Sequence, residues 1–145
     1  MRALIQRVAQ AKVEVDQQCI GSIDQGLLVF IGVEKGDSTD DVDRLLKKIL
    51  AYRVFADNND KMNLSVTDVQ GGLLLVSQFT LAANTQKGLR PSFSSAAPPA
   101  EGETLYNYFV EQAKNLHPTV ATGRFGADMK VQLLNDGPVT FLLET

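Results

Sequence analysis

The sequence is poor in the residues that most often carry metal binding and nucleophilic catalysis. It contains one cysteine, one histidine and no tryptophan among 145 residues. A single cysteine excludes an internal disulfide, and one histidine with one cysteine leaves no plausible zinc ligand set and no Cys-His catalytic pair.

Long apolar runs and targeting signals are also missing. No run approaches the roughly 20 apolar residues that span a bilayer. The opening MRALIQRVAQ has neither the apolar core nor the cleavage pattern of a signal peptide. These absences predict a cytoplasmic protein without a membrane-spanning segment.

The charge balance shows no general attraction to nucleic acid. The chain has 14 Lys and Arg against 17 Asp and Glu, a formal net charge of −3, and a pI near 5.1. Contact with RNA would have to be local, and no DNA partner is expected. The candidates for phosphate contact, each of which is equally explained as solvated surface charge, are Arg44, Lys47, Lys48, Lys87, Arg90, Arg124 and Lys130.

The isolated histidine and cysteine have plain structural interpretations. His117 lies between a helix end and a proline, where an exposed imidazole would be a favourable charge at the helix C-terminus. Cys19 is interpreted as a small packed residue. The glycine pair at 71 and 72 lacks the spacing of a nucleotide-phosphate loop, and no carboxylate pair is evident.

Hydrophobic periodicity predicts one α/β or α+β domain with a mixed sheet over residues 1–145. Continuous apolar character in GLLVFIGV predicts a central strand covered on both faces, and AKVEVD places Val13 and Val15 on one face. The predicted strands span 2–8, 11–16, 26–33, 73–81, 119–123, 128–134 and 138–144.

Two helices are predicted. The first covers about 37–55, with Ser38 or Thr39 as the N-cap, and the second covers about 104–116 and ends at His117-Pro118. The loop before the second helix, 82–99, is long for a compact domain and is the candidate rim of a functional site. The residues predicted to form the buried face of each helix are Val42, Leu45, Leu46, Ile49 and Leu50 in the first, and Leu105, Phe109 and Ala113 in the second.

SQFTL, residues 77–81, brings polar side chains to the end of a buried strand. Strand alternation predicts Gln78 and Thr80 on one face, where ligands gather and free N–H groups can stabilise an oxyanion. The simpler alternative is a strand that emerges into solvent. Thr80 could be a nucleophile, but it would need a base, and no histidine is available for that role.

Two further segments have open interpretations. RPSFSSAAP, residues 90–98, sets a basic side chain beside an aromatic ring and hydroxyls, which suits a phosphate contact next to a stacked base; an ordinary Pro-Ser loop explains it equally well. GRFGADM, residues 123–129, places Phe125 and Met129 in a glycine-hinged segment. Its plain interpretation is a bend between strands with two core residues.

NDGPVT, residues 135–140, combines a turn signal with a proline. Asp-Gly between apolar runs usually indicates a tight hairpin turn. Pro138 has no amide hydrogen for a sheet ladder and holds Gly137 in an extended conformation. A turn is what the residues alone favour, and a backbone held in place for chemistry is the alternative.

These motifs together resemble a known family. SQFTL, RPSF, GRFGADM and NDGPVTFLLE occur in the order and near the positions found in bacterial D-aminoacyl-tRNA deacylases, also called D-tyrosyl-tRNA deacylases. The similarity covers essentially the whole chain, including the opening MRALIQRV. It implies that residues 1–145 form a single deacylase domain with the family's own fold, a mixed, strongly curved, barrel-like sheet with two main helices.

The resemblance also implies an activity and its partners. The family is a cytoplasmic homodimer with active sites at the subunit interface. It hydrolyses the ester that joins a D-amino acid to the 3′ end of tRNA, and it also removes misattached glycine. The implied substrates are therefore D-aminoacyl-tRNA and glycyl-tRNA, with no cofactor, metal, DNA or membrane involved.

Ser77, Gln78, Phe79 and Thr80 match the family's Ser-Gln-Phe-Thr motif, which lines the pocket for the terminal adenosine and the aminoacyl group. From this match, backbone N–H groups near Phe79 and Thr80 are expected to stabilise the oxyanion formed by water attack. Since no protein base is evident, the 2′-hydroxyl of the tRNA could activate or position the water. Thr80 as a nucleophile is the competing mechanism.

Gly137 and Pro138 match the family's Gly-Pro motif, whose peptide is cis and which reaches from one subunit into the active site of the other. With a cis peptide, the two carbonyl oxygens can point the same way, accept hydrogen bonds from the substrate ammonium and occupy the space of an L side chain. Chirality is then enforced by exclusion, and glycine passes. Phe125 and Met129 match pocket-side residues, and Arg7 matches one that steadies the motif.

Two other function classes remain open from the sequence. A non-catalytic domain that binds tRNA or a small ligand could use the same pocket and would not cleave the ester. A plain dimeric structural protein could use Gly-Pro only as a turn.

Overall fold

Six strands form one mixed sheet that carries both helices, and two short strands pair apart from it. The computed structural model describes residues 1–145. The elements in chain order are β1 (Arg2–Val15), β2 (Gln18–Ile23), β3 (Gly26–Gly32), α1 (Thr39–Ala51), β4 (Phe55–Ala56), β5 (Met62–Leu64), β6 (Gly72–Ser77), a 3-10 turn (Phe79–Ala82), α2 (Pro99–Leu116), β7 (Val120–Thr122) and β8 (Lys130–Glu144).

The sheet curls toward closure. Its strand order is β2-β1-β3-β6-β7, with β8 paired along the other edge of β1. β1 is antiparallel to its three neighbours, whereas β3, β6 and β7 are parallel. The two ends of the order meet, since a Cβ at Gly21 of β2 would lie 2.4 Å from the carbonyl oxygen of Thr122 in β7. The expected single α/β domain with a barrel-like mixed sheet and two helices is confirmed.

β3 is covered on both faces, as its continuous apolar sequence predicts. Because successive side chains of a strand point to opposite faces, Leu27, Val29 and Ile31 join the larger core cluster beneath the helices. Leu28 is buried in the second cluster, on the concave side of the sheet, together with Val13 of β1. This double burial fixes β3, paired to β1 on one edge and to β6 on the other, as the centre of the sheet.

The helices bury the faces that their periodicity predicts. In α1, Ser38 is the N-cap, and its backbone N–H donates to the Asp41 carboxylate at 2.9 Å. Hydrogen bonds from Ser38, with a further one from Arg44, lower the pKa of Asp41 to about 2. α2 begins at Pro99, five residues before its predicted start, because proline is favoured in a first helical turn. The predicted core residues that are fully buried are Val42, Leu45, Leu46, Ile49, Phe109 and Ala113.

Five of the predicted strands were wrong in their extent. Residues 2–8 and 11–16 form the single strand β1, and 128–134 and 138–144 form the single strand β8. These two long strands stay continuous because they pair with each other over most of their length. The strand predicted over 73–81 stops at Ser77, where the chain tightens into the 3-10 turn.

The single cysteine and the single histidine also differ from the prediction in their burial. Cys19 is exposed rather than packed, because the first two residues of β2 face solvent. His117 is buried, with 4% exposure, and its Nε2 lies 2.7 Å from the carbonyl oxygen of Gly71. The imidazole therefore joins the end of α2 to the start of β6 instead of lying in solvent. Neither helix has both the length and the apolar content needed to cross a membrane.

Candidate active site

A cavity of about 460 Å³ opens where the parallel strands β3 and β6 end. Ligands of mixed and parallel sheets commonly bind at such strand ends, and the volume suits a small molecule or one nucleoside. The strand ends, the first turns of α2 and the segment between β7 and β8 form its walls. The lining residues are Ile31, Val33, Val76, Ser77, Gln78, Phe79, Ala97, Pro99, Gly102, Tyr106, Phe125, Gly126, Ala127, Asp128, Met129 and Val131.

The SQFTL segment turns at the cavity mouth. Gln78 N donates to Ile31 O at 2.8 Å, which extends the β3–β6 pairing by one bond. The first bond of the 3-10 turn then runs from Leu81 N to Gln78 O at 3.1 Å. The N–H groups of Phe79 and Thr80 precede that bond, and N–H groups of a first turn have no acceptor within it. Two backbone donors are thus available at the mouth of the cavity.

The turn corrects the predicted alternation of this segment. Gln78 and Thr80 were expected on one face of a strand, but the chain leaves the extended conformation after Ser77. Their side chains nevertheless meet, because Gln78 Nε2 donates to Thr80 Oγ1 across the turn. Thr80 is exposed beside the cavity, while Ser77, Gln78 and Phe79 line it.

The GRFGADM segment supplies the opposite wall. It forms a bend between β7 and β8 in which Gly126 has a φ of +75°, a conformation that glycine adopts without strain. Phe125 and Met129 are half-buried and line the cavity. The ring of Phe125 packs 5.9 Å, centroid to centroid, from that of Tyr106 in α2. A Cβ at Gly102 would lie 3.6 Å from the Phe125 ring, so glycine there leaves the cavity open.

Tyr106 is a cavity residue that the sequence reasoning missed. It is 3% exposed, and its hydroxyl donates to Leu75 O at 2.9 Å. Burial raises the pKa of Tyr106 to about 12, so the phenol stays neutral and cannot act as a base near neutral pH. The signal was its position three residues before Phe109 and seven before Ala113, on the helix face already predicted to be buried.

Few ionisable groups reach the cavity. Its one carboxylate, Asp128, is exposed and bonded to Lys130 Nζ at 2.8 Å. His117 does not line it. No group of three or more His, Cys, Asp or Glu side chains is placed to hold a metal ion. The polar groups offered to a ligand are mainly backbone N–H groups and the Gln78 amide.

Gly137 and Pro138 lie elsewhere in the chain's own fold. The Gly137–Pro138 peptide is cis, Gly137 has a φ of +151°, and both residues are exposed. In the β1–β8 ladder, Gln6 pairs with Thr140 and Val8 pairs with Asn135. The segment 136–139 of β8 therefore stands opposite a single residue of β1, Arg7. The segment is therefore a bulge from a continuous strand and not the predicted hairpin turn.

Arg7 anchors this bulge. Its Nε donates to Asp136 O at 2.8 Å and its Nη1 donates to Val54 O at 2.7 Å. Asn135 Oδ1 accepts a second anchoring bond, at 2.9 Å, from Val139 N. In the fold of the single chain the predicted site residues thus form two groups, one around the cavity and one at the bulge, and neither Gly137 nor Pro138 lines the cavity.

An apolar cavity at strand ends, with free backbone donors and one polar amide, is typical of the active site of a small enzyme domain. The model of the family described as D-Tyr-tRNA(Tyr) deacylase matches residues 4–144. The chain belongs to this family. A D-aminoacyl-tRNA deacylase of Pseudomonas aeruginosa (strain UCBPP-PA14) is 64% identical over 145 residues, all of both chains. One of Stutzerimonas stutzeri (strain A1501) is 63% identical over the same length.

Solved structures show the same architecture. A structure described as c-Myc DNA Unwinding Element Binding Protein superposes with a TM-score of 0.96 at 40% identity and covers 100% of this chain and 99% of that one. A probable eukaryotic D-amino acid tRNA deacylase superposes with a TM-score of 0.86 at 14% identity, covering 99% of this chain and 98% of that one. The second likeness concerns the fold alone.

Proposed function

We propose that this protein is a D-aminoacyl-tRNA deacylase, a hydrolase that releases free D-amino acid and tRNA and also clears glycyl-tRNA in the cytoplasm. The observation that carries the proposal is the meeting of separate family motifs at one cavity. Residues from SQFTL and from GRFGADM, more than forty positions apart, line it together. The full-length identity to curated deacylases supports the same activity.

The cavity accepts the terminal adenosine and its aminoacyl group. Apolar walls contributed by Phe125, Met129 and Tyr106 suit a nucleoside ring and a variety of side chains. The N–H groups of Phe79 and Thr80 lie at the mouth of the cavity, where they stabilise the oxyanion of the tetrahedral intermediate. Water attacks the ester carbonyl, and the bond between the carbonyl carbon and the ribose 3′ oxygen breaks. One proton of the water passes to the 3′ oxygen, the other goes to solvent, and the amino acid is released as the carboxylate.

Activation of the water does not depend on a protein base in this proposal. Tyr106 stays neutral because its pKa is raised to about 12, Asp128 is held at the rim by Lys130, and His117 is buried against Gly71. The vicinal 2′-hydroxyl of the tRNA positions the water instead. Thr80 as a nucleophile is the alternative for the same site.

Chiral selection comes from the bulge of a second subunit. Contacts at the Cα substituents are the ones that distinguish D from L substrates while accepting many side chains. The exposed carbonyl groups of Gly137 and Pro138 enter the cavity of the partner, bind the substrate ammonium and fill the space of an L side chain. The anchoring of the bulge by Arg7 supports this role, because a selecting group must be held rigidly.

The activity is tested by following amino acid release from D-aminoacyl-tRNA. Catalytic release by the purified protein supports a deacylase, whereas tRNA binding without release would indicate a non-catalytic binding domain. Gly102→Leu is the matched control, because its side chain would project from α2 toward Phe125 and fill the cavity. Loss of release in this variant excludes a contaminating hydrolase.

A further inference from the structure

Two exposed aromatic rings stand side by side at the mouth of the cavity. Phe79 is 59% exposed and Phe93 is 43% exposed, although apolar side chains of this size usually avoid water. Their ring centroids lie 5.1 Å apart with an interplanar angle of 47°. Phe79 lines the cavity and Phe93 does not, so the pair leads from the cavity out onto the surface.

The loop that carries Phe93 is held firmly. Asn84 and Ser92 exchange two backbone hydrogen bonds of 2.8 Å and 3.0 Å, which close the base of the loop. Ser95 Oγ donates to Ala82 O, which ties the segment after Phe93 to the 3-10 turn that carries Phe79. The two rings are therefore fixed relative to each other, as a recognition surface requires.

The charge of the loop 82–99 differs from that of the whole chain. This loop contains Lys87 and Arg90 but no Asp or Glu, in a protein whose formal net charge is −3. Both side chains lie in exposed positions, and neither forms a salt bridge or a hydrogen bond. Two unpaired cations in the loop that also carries Phe93 match the general plan of single-stranded nucleic acid sites, where bases stack on aromatics and phosphates meet basic groups.

We propose that Phe79 and Phe93, with Lys87 and Arg90, form a binding subsite for the single-stranded nucleotides that immediately precede the terminal adenosine of the tRNA substrate. The inference rests on the proposed function, since it takes the terminal adenosine to occupy the cavity. A base stacks on the Phe93 side of the aromatic pair, and the basic side chains neutralise the adjoining phosphates. The subsite reads the single-stranded character of the end and not its sequence.

The test compares two substrates of different length. Wild type and Phe93→Ala are assayed on D-aminoacyl-tRNA and on 3′-O-(D-aminoacyl)adenosine, which lacks the preceding nucleotides. Phe93→Ala should lower kcat/KM on the tRNA roughly tenfold, about 1.4 kcal/mol, mainly through KM, because the variant loses the stacking of one base. The change on the aminoacyl-adenosine should be less than about twofold. Leu116→Ala, another exposed apolar residue at 62%, is the matched control and should change neither.

The basic residues are tested by salt dependence. Lys87→Gln/Arg90→Gln should reduce the slope of log Kd against log salt by about 1.4 for the tRNA, since each phosphate neutralised on a single strand contributes about 0.7. Lys61→Gln, an exposed lysine distant in sequence from the rim, is the control. An unchanged slope in the double variant overturns the phosphate contacts.

Several results would overturn the subsite. They are an equal loss on both substrates, no loss on either, or a changed oligomeric state of Phe93→Ala, which would make the ring an interface between copies of the chain. If wild type cleaves neither substrate, the proposed function fails by itself. The subsite is then tested by the binding of a short single-stranded RNA ending in CCA. Phe93→Ala should weaken this binding, and equal binding by wild type and variant would contradict the subsite.

Discussion

Arg7 holds the carbonyl group of Asp136 through a 2.8 Å hydrogen bond from its Nε, and this bond attaches the exposed bulge of β8 to the neighbouring strand. The same guanidinium donates to Val54 O at 2.7 Å. Because residues 136–139 leave the β1–β8 ladder opposite Arg7, its side chain replaces bonds that the backbone cannot form there. Gly137 and Pro138 are thereby presented to solvent on a fixed support.

Replacing Arg7 should loosen this support. Arg7→Ala removes the partner of two carbonyl groups. The partly buried Val54 O left without a partner costs about 1–3 kcal/mol, whereas the exposed Asp136 O can bond to water. We expect lower stability in denaturant unfolding and a smaller ratio of D to L hydrolysis. Arg7→Lys should behave similarly, because an ammonium cannot reproduce the planar, divergent bonds of a guanidinium. A drop in stability with an unchanged D to L ratio would assign Arg7 a purely structural role.

Mixed dimers of the proposed homodimer should show whether the bulge of one subunit acts in the cavity of the other. Gly137→Ala should disable the bulge, since its Cβ would lie 2.6 Å from Val139 Cγ2 and 2.7 Å from Val139 N. Gly102→Leu should disable the cavity. Each variant alone is expected to be nearly inactive toward D-aminoacyl-tRNA.

Co-refolding the two variants in equal amounts should restore about a quarter of wild-type activity, because half of the dimers are hybrids and each hybrid has one complete site. Mixing without subunit exchange gives the baseline. If mass spectrometry confirms that hybrid dimers form but activity does not recover, the bulge does not act in the cavity of the other subunit, contrary to the proposal.

Thr80→Ala separates the two mechanisms of hydrolysis. The Thr80 hydroxyl is exposed and accepts a hydrogen bond from Gln78, and no histidine lies in the cavity to activate it. The variant keeps the backbone N–H group, so we expect turnover within about tenfold of wild type in single-turnover assays. Complete loss with intact tRNA binding, rescued by Thr80→Ser, would support the hydroxyl as the nucleophile and contradict water attack without it.

The buried phenol of Tyr106 should make the protein sensitive to alkali. Burial raises its pKa from 10.0 to about 12. A group whose folded pKa is raised contributes stability below its unfolded pKa and loses that contribution as the pH rises through the folded value. The difference in unfolding free energy between wild type and Tyr106→Phe should therefore stay constant up to about pH 9 and then shift in favour of the variant by pH 12. Parallel curves would contradict this.

The sequence predicts best those elements whose own hydrophobic pattern shows which faces are buried. α1 and β3 follow directly from spacing, because every apolar position of their buried faces is local. The single strands β1 and β8 could not be predicted as such, since each has polar residues near its middle and is kept continuous by pairing with the other. The burial of His117 is likewise tertiary, because its partner, Gly71, is 46 positions away.

The candidate site likewise contains some residues that the sequence predicted and others that it did not. The SQFTL segment was found because polar side chains follow a buried strand. The roles of Ser77 and Phe79, like those of Phe125 and Met129, came from the resemblance. Tyr106 was missed because helix periodicity marks it only as core, and the turn at Phe79 was missed because nothing in SQFTL breaks a strand pattern. The cis peptide at Pro138 was expected from the family alone.

Chiral selection is tested most directly by the initial rates of amino acid release from D-tyrosyl-tRNA and L-tyrosyl-tRNA, at equal concentration and with the same tRNA. The proposal predicts that the D substrate is hydrolysed roughly 100-fold faster or more, because an L side chain collides with backbone held by Arg7 and not with an adaptable side chain. Equal rates, or release from neither substrate, would contradict it.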